Sequence, residues 1–88
     1  MKIVVRKPTV DEIEDTKSWG IWSRGVSEFP WSYEDTETCY ILAGKAEVTS
    51  SDRKEKAAFG KGDYVIFPKG LKCTWKIIEP IKKHYKFE

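Results

Sequence analysis

The chain of 88 residues contains no asparagine and no glutamine, whereas lysine and glutamate are abundant. Proteins of hyperthermophiles carry few of the thermolabile amide side chains and are enriched in lysine and glutamate. The composition therefore predicts a thermophilic source.

Long apolar runs are also missing. No stretch approaches the roughly 20 apolar residues of a membrane span, and the N-terminus lacks the apolar segment of a signal peptide. We therefore expect a cytoplasmic protein that does not enter a membrane. The two cysteines, Cys39 and Cys73, fit that compartment as free thiols, because cytosolic disulfides are uncommon outside hyperthermophiles.

Neither sign of charge dominates: sixteen basic residues oppose fourteen acidic ones, and the formal net charge is +2. Both signs are scattered along the chain, which lacks the concentrated basic patch of a nucleic-acid-binding domain. The basic cluster of Lys82, Lys83 and Lys86 is interpreted as a solvated face, and its alternative is a site for a phosphate group or an acidic partner. The sequence also lacks the signatures of serine hydrolases, phosphate-binding loops and dinucleotide-binding folds.

Aromatic residues, by contrast, are plentiful, with four Trp, four Tyr and four Phe. Each buries about 150–250 Å², which gives an efficient core to a chain that has little interior volume. Short β-favouring runs are separated by turn residues at intervals of about ten residues, and this pattern predicts an all-β sandwich or barrel. We expect a single domain over residues 1–88.

Local signals predict where the elements begin and end. Residues 2–6 favour a strand, and Thr9 with Glu12 three residues later predicts a capping box that begins at most one or two helical turns. Turn residues predict three reversals: a hairpin turn at 43–45, a polar hairpin tip at 50–54 and a last turn at 79–80.

Two motifs stand out from this pattern. In residues 62–75, GDYVIFPKGLKCTW, an apolar run meets a Pro-x-Gly turn and then restarts. Pro68 supplies a fixed φ and Gly70 permits the positive φ of a sharp reversal. The upstream motif has a characteristic spacing of Gly25, Trp31, Tyr33, Glu37 and Gly44.

Together the two spacings resemble the two sequence motifs of the cupins, over nearly the whole chain. The likeness is greatest to small single-domain cupins similar to the cupin domain of ureidoglycine aminohydrolase. It implies a small antiparallel jelly-roll β-barrel. It also implies that Trp31, Tyr33, Glu37 and Cys73 hold the places of the usual metal ligands, three of which are histidines in most cupins. A divalent metal therefore stays open as a cofactor, with Glu37 and Cys73 as candidate ligands.

The same places supply the candidate catalytic residues. The Glu37 carboxylate, next to aromatic and apolar residues, is the candidate acid or base, and its alternative is a buried carboxylate satisfied by a tyrosine hydroxyl. Tyr33 would orient the ligand. Cys73 would assist catalysis or hold a metal, and its alternative is a small buried hydrophobe.

The candidate ligand-binding residues are Trp31, Tyr33, Trp75 and His84. The three rings would stack on a ligand, and His84, the only imidazole of the chain, would move protons near neutral pH or else be structural. Three further aromatic residues are assigned to the core: Trp19, Trp22 and Phe29.

Three functions remain open at this point. The first is a pocket in the barrel mouth for a small polar, planar or sugar-like molecule, with or without catalysis by Glu37. The second is a non-catalytic binding or structural module with a filled barrel; cupins commonly pair through their sheets, so a homodimer is one expected state. The third, implied by the resemblance alone, is a metal-dependent amidohydrolase of ureidoglycine type.

Overall fold

Seven antiparallel strands and one short helix make up most of the chain, and the computed structural model describes all residues from Met1 to Glu88. In chain order the elements are β1 (Val4–Arg6), α1 (Val10–Thr16), β2 (Gly20–Arg24), β3 (Ser27–Ser32), β4 (Glu37–Ser50), β5 (Lys56–Gly60), β6 (Tyr64–Phe67) and β7 (Lys72–Phe87). The predicted all-β class is confirmed.

The long strands β4 and β7 pair with each other and form the centre of the structure. β6 and β5 follow one another along the free edge of β4, beside residues 37–40 and 45–49. β3 and β2 likewise share the free edge of β7, beside residues 72–77 and 81–85, and β1 extends the sheet at β6. Each long strand thus serves two sheet halves, an arrangement that agrees with the expected jelly roll.

The two halves meet where β4 and β7 pair irregularly, around Gly44 and Pro80. Pairing shifts register three times between Ile41 and Ala46, and bulges of this kind bend a strand. Gly44 has φ +91°, and a Cβ built on it would lie 2.0 Å from the Pro80 carbonyl oxygen. Pro80 is tolerated in a strand at such an irregular place because it needs no ladder hydrogen bond there.

The predicted reversals at 43–45 and 79–80 were wrong, because both segments lie inside continuous strands. Glycine and proline produce a bend here, and the chain does not turn back. The polar tip at 50–54 does join β4 to β5, and Gly70 has the expected positive φ of +89°.

The N-terminal helix begins as its sequence predicts. The Thr9 hydroxyl accepts from the Glu12 backbone N–H, and the Glu12 carboxylate accepts from the Thr9 N–H, so the capping box is complete. Arg6 donates two hydrogen bonds to the same carboxylate and, with the Thr9 contact, lowers the pKa of Glu12 to about 2. No helix of the protein has the length and apolar character needed to cross a membrane.

The core is an aromatic and aliphatic cluster enclosed by the two sheet halves. Trp75 lies near its centre, with its ring 5.3 Å from that of Phe67 and 5.4 Å from that of Phe59. Aliphatic side chains such as Ile41 and Val48 are fully buried around these rings. The candidate site described below lies beside this cluster.

We predict that Gly44→Ala lowers the free energy of unfolding by about 2 kcal/mol or more, because it combines a strained positive φ with a backbone clash. Gly25 is the matched control: it lies between β2 and β3, and an added Cβ would meet nothing within 4 Å. Urea denaturation of both variants checks this. Equal effects of the two substitutions would contradict the account of the bend.

Candidate functional site

A chain of hydrogen bonds lies buried beside the aromatic core, between β4 and β7. The Tyr33 hydroxyl donates to Glu37 Oε1 and Lys83 Nζ donates to Glu37 Oε2, each at 2.8 Å. The Trp75 indole N–H donates in turn to the Tyr33 oxygen at 3.2 Å. Glu37 is 3% exposed and Lys83 is 5% exposed, so the network contains an ion pair that is almost fully removed from water.

Strand alternation places both charges on the inner face. Glu37 begins β4 and lies on the same side as the buried Ile41. Lys83 lies on β7 between Ile81 and Tyr85, two residues from each, and faces inward with them. The register of the antiparallel pair β4–β7 places Lys83 opposite Ile41 and Glu37 opposite Phe87. The long lysine side chain reaches along the inner face to the Glu37 carboxylate.

Tyr33 follows β3 and is held by the Pro-x-Gly turn of the second motif. Its backbone N–H donates to the Leu71 carbonyl at 2.9 Å, and its own carbonyl accepts from the Gly70 N–H at 2.8 Å. Its ring stacks on Phe67 with a centroid distance of 5.1 Å and an interplanar angle of 6°. The two sequence motifs therefore meet at Tyr33, and the turn fixes the direction of its hydroxyl group.

Burial and the neighbouring Glu37 carboxylate raise the pKa of Tyr33 well above its ordinary value. The reason is that a phenolate would be poorly solvated there and would face a like charge. Tyr33 is thus a neutral hydrogen-bond donor to the carboxylate.

The Lys83 ammonium group is surrounded by aromatic faces. Its nitrogen lies 4.7 Å from the centre of the Trp22 ring and 4.6 Å from that of Trp75, distances at which the ring quadrupole attracts a cation. Glu37 Oε2 is the only hydrogen-bond acceptor that Lys83 contacts. The ammonium group therefore has one strong partner and two weaker aromatic ones.

A pocket of about 150 Å³ opens onto this ion pair. Trp31 and Phe87 lie at its outer end, each 47% exposed, while Trp75 and the two charged residues close its inner end. The wall is almost wholly aromatic. It is formed by Trp22, Phe29, Trp31, Tyr33, Glu37, Trp75, Lys83, Tyr85 and Phe87.

Four of the residues predicted for the site come together here, namely Trp31, Tyr33, Glu37 and Trp75. The alternative foreseen for Glu37 was a buried carboxylate that accepts a hydrogen bond from a tyrosine hydroxyl. Tyr33 makes this contact with one carboxylate oxygen, while the other oxygen contacts Lys83. The two other candidates, Cys73 and His84, do not line the pocket.

Cys73 is buried on the inner face of β7, next to β3, and its thiol lies 3.6 Å from the Trp31 carbonyl oxygen. Burial and the Glu37 charge raise its pKa to about 11, and burial likewise raises the pKa of Cys39. His84 directly follows Lys83, so it lies on the opposite face of β7, where it pairs with Tyr40 and Ile21.

Sequence reasoning missed Lys83, which it assigned to a solvated basic cluster; that interpretation was wrong, because Lys83 is buried. The signal that could have found it is the alternation of side chains along a strand. Ile81, Lys83 and Tyr85 lie on one face of β7, whereas Lys82 and Lys86 lie on the other. Trp22 and Phe29, expected in the core, pack against it and also line the pocket. Tyr85 and Phe87 of β7 also line the pocket, and neither of them was assigned to the site from the sequence.

The residues present do not fit the divalent metal that the resemblance left open. No three side chains of His, Cys, Asp or Glu come together in the structure. Both oxygens of Glu37 already accept hydrogen bonds, and one of them contacts a cationic amine. A second cation beside that amine would be repelled and would lack the three or four donors it needs.

We predict that Lys83→Met lowers the free energy of unfolding by about 3–5 kcal/mol, because it leaves a buried carboxylate unpaired. Adding Glu37→Gln should recover part of that loss, since no charge is then buried. Urea denaturation of the two single variants and the double variant gives the coupling energy.

The exposed pair Lys45–Glu79 is the matched control, and Lys45→Met should cost less than about 1 kcal/mol. Strictly additive effects of Lys83→Met and Glu37→Gln would show that the two charges do not interact as described.

The raised pKa of Cys73 predicts slow alkylation. Because Cys73 is buried and only the thiolate reacts, modification of the native protein by iodoacetamide should be slow at pH 8 and faster at pH 10. Mass spectrometry of the modified peptide follows it. Rapid labelling of Cys73 that levels off below pH 8 would contradict its placement.

Known proteins support the fold and give the family. The EutQ-like cupin domain model matches residues 12–85. A DUF861 family protein from Thermotoga maritima has 48% sequence identity and a TM-score of 0.93, over 99% of this chain and 100% of that one. No curated protein matches the sequence.

More distant structures share the fold. The EutQ protein of Clostridium difficile matches with a TM-score of 0.70 at 18% identity, over 97% of this chain and 66% of that one. A putative ethanolamine utilization protein Q from Salmonella typhimurium matches with a TM-score of 0.69 at 20% identity, over 97% and 68%. The narrower likeness to ureidoglycine aminohydrolase stays a prediction, because the matching proteins carry other descriptions. The expected cupin fold is confirmed, and the chain belongs to the EutQ-like cupin family.

Proposed function

We propose that the protein binds a small ring-shaped molecule in the aromatic pocket, with the polar group of that molecule against Glu37 and Lys83. The observation that carries the proposal is a ring-lined pocket whose inner end is a buried ion pair. Pockets that combine an apolar wall with a few convergent polar groups are typical of small-molecule sites.

The ion pair supports a binding site better than a purely structural core. Removing two charges from water is costly, and a pair of well-packed apolar side chains of similar size is often at least as stable. A barrel that only needed filling would therefore gain little from Glu37 and Lys83. At the inner end of the pocket, the two charged groups can bind the polar group of a ligand. Ligand binding therefore explains the presence of the pair better than a contribution to stability does.

The size and walls of the pocket limit the ligand. A cavity of about 150 Å³ holds a molecule of about one six-membered ring. Trp31 and Phe87 at the outer end and Trp75 at the inner end offer surfaces on which a planar ring or the apolar face of a sugar-like ring would stack. A hydroxyl or carbonyl group on such a ring would meet the carboxylate as donor or the ammonium group as acceptor.

If the bound molecule reacts, Glu37 is the acid or base. Its Oε2 lies 2.8 Å from Lys83 Nζ, which carries exchangeable protons, and Tyr33 holds its other oxygen and so fixes its orientation. General acid–base catalysis needs a positioned group of this kind. Cys73 and His84 have no part in this scheme, since neither lines the pocket.

A panel of one-ring probes tests the binding proposal. Benzyl alcohol, benzoate and benzylamine share a ring and differ in their polar group. We expect benzyl alcohol to raise the melting temperature and quench the tryptophan fluorescence, because Trp22, Trp31 and Trp75 line the pocket. The charged probes should bind more weakly, since each repels one member of the ion pair.

The variant Trp19→Phe is the matched control, because Trp19 packs against Tyr64 outside the pocket. It should keep both the binding and the quenching. If none of the probes shifts the melting temperature at millimolar concentration, the filled-barrel alternative is favoured and the binding proposal fails.

A further inference from the structure

Lys83 combines three features that suit a nucleophilic amine: a buried position, a carboxylate partner and a place in the pocket wall. We propose that Lys83 forms an imine with a small ring-bearing aldehyde bound in the pocket. The inference rests on the proposed function, because the aldehyde would occupy the same space as the ligand described above.

The environment of the amine supports this role. One of its protons points at Glu37 Oε2, and the protein offers no other hydrogen-bond acceptor to it. Its remaining neighbours include the faces of Trp22 and Trp75. The Glu37 carboxylate is therefore placed to accept a proton directly from the ammonium group, which frees the nitrogen electron pair for attack.

The first half of the reaction makes the carbon–nitrogen bond. Nζ gives a proton to Glu37 Oε2, and its freed electron pair attacks the aldehyde carbon. The π electrons of the carbonyl group move to its oxygen, which takes the proton from Glu37. Glu37 then removes a second proton from nitrogen, and the product is a neutral carbinolamine beside a protonated carboxyl group.

The second half removes water. Glu37 gives its proton to the carbinolamine hydroxyl group, which leaves as water while the nitrogen electron pair forms the C=N bond. The product is a protonated imine beside a Glu37 carboxylate. No oxidant, reductant or further reactant is needed, and one aldehyde is consumed for each water released.

The structure favours this product because the positive charge stays where the protein already holds one. The protonated imine keeps its nitrogen near Glu37 and the two tryptophan rings, so the ion pair and the cation–π contacts persist. The aromatic walls also limit access of water, which slows hydrolysis of the imine. Tyr33 occupies the other carboxylate oxygen, so proton transfer uses Oε2.

Reductive trapping tests the proposal on the unmodified protein. Benzaldehyde is added with cyanoborohydride, and the benzylated lysines are mapped by peptide mass spectrometry. We expect Lys83 to be labelled first, and excess benzyl alcohol to suppress its labelling while the exposed lysines are unaffected. Lys82 is the internal reference, because it is exposed on the opposite face of the same strand.

Variants separate the roles of the two partners. Glu37→Gln should slow labelling of Lys83 by about 100-fold, as expected for loss of a general base, while that of Lys82 stays unchanged. Lys82→Met should leave the labelling of Lys83 as it is. If Lys83→Met is too unstable to study, Lys83→Met with Glu37→Gln removes the amine without leaving a buried charge.

The outcomes distinguish this inference from the proposed function. If benzyl alcohol raises the melting temperature but Lys83 is labelled no faster than Lys82, the imine proposal is overturned and the proposed binding site is supported. If benzyl alcohol does not raise the melting temperature and Lys83 is not labelled preferentially, both the binding proposal and the imine proposal are overturned. Fast labelling of Lys83 that Glu37→Gln does not slow would overturn the proton-transfer scheme.

Discussion

The contact on which the site depends is the buried ion pair between Glu37 and Lys83. It joins the start of β4 to the end of β7, and the Tyr33 hydroxyl and the Trp75 indole extend it into the aromatic core. A pair with so little exposure to water needs every remaining polar atom nearby to be directed at it. The site is therefore organised around one internal cation and one internal anion.

The fold makes this pair possible through its bend. β4 and β7 run through both sheet halves, and the close approach of Gly44 to the Pro80 carbonyl oxygen lets them do so without a break. If the chain had reversed at those residues, Lys83 would belong to another element, and the β4–β7 pairing that brings its side chain within reach of Glu37 would be lost. The backbone conformation at Gly44 is thus a condition for forming the ion pair in the pocket.

The sequence predicted the all-β class, the helix cap and four of the pocket residues, because these follow from local patterns and from the spacing of two motifs. It missed Lys83, since a lysine in a basic run is normally solvated. Only the alternation of inward and outward side chains along β7 indicates that Lys83 is buried. It also misplaced two turns, because glycine and proline mark a bend and a reversal alike, and only tertiary pairing distinguishes them. His84 was chosen as the only imidazole, and alternation along β7 places it on the opposite face from the pocket. Cys73 was chosen by its motif position and does face inward, but it lies beside β3 and does not line the pocket.

The central claim is that Lys83 is the cation of this site and that no metal ion binds beside Glu37. The most direct measurement is elemental analysis of protein prepared without an affinity tag, followed by titration with manganese, zinc, nickel and iron while the melting temperature is recorded. The account predicts that none of these ions binds near stoichiometry or raises the melting temperature. A stoichiometric metal that disappears in Glu37→Gln would contradict it.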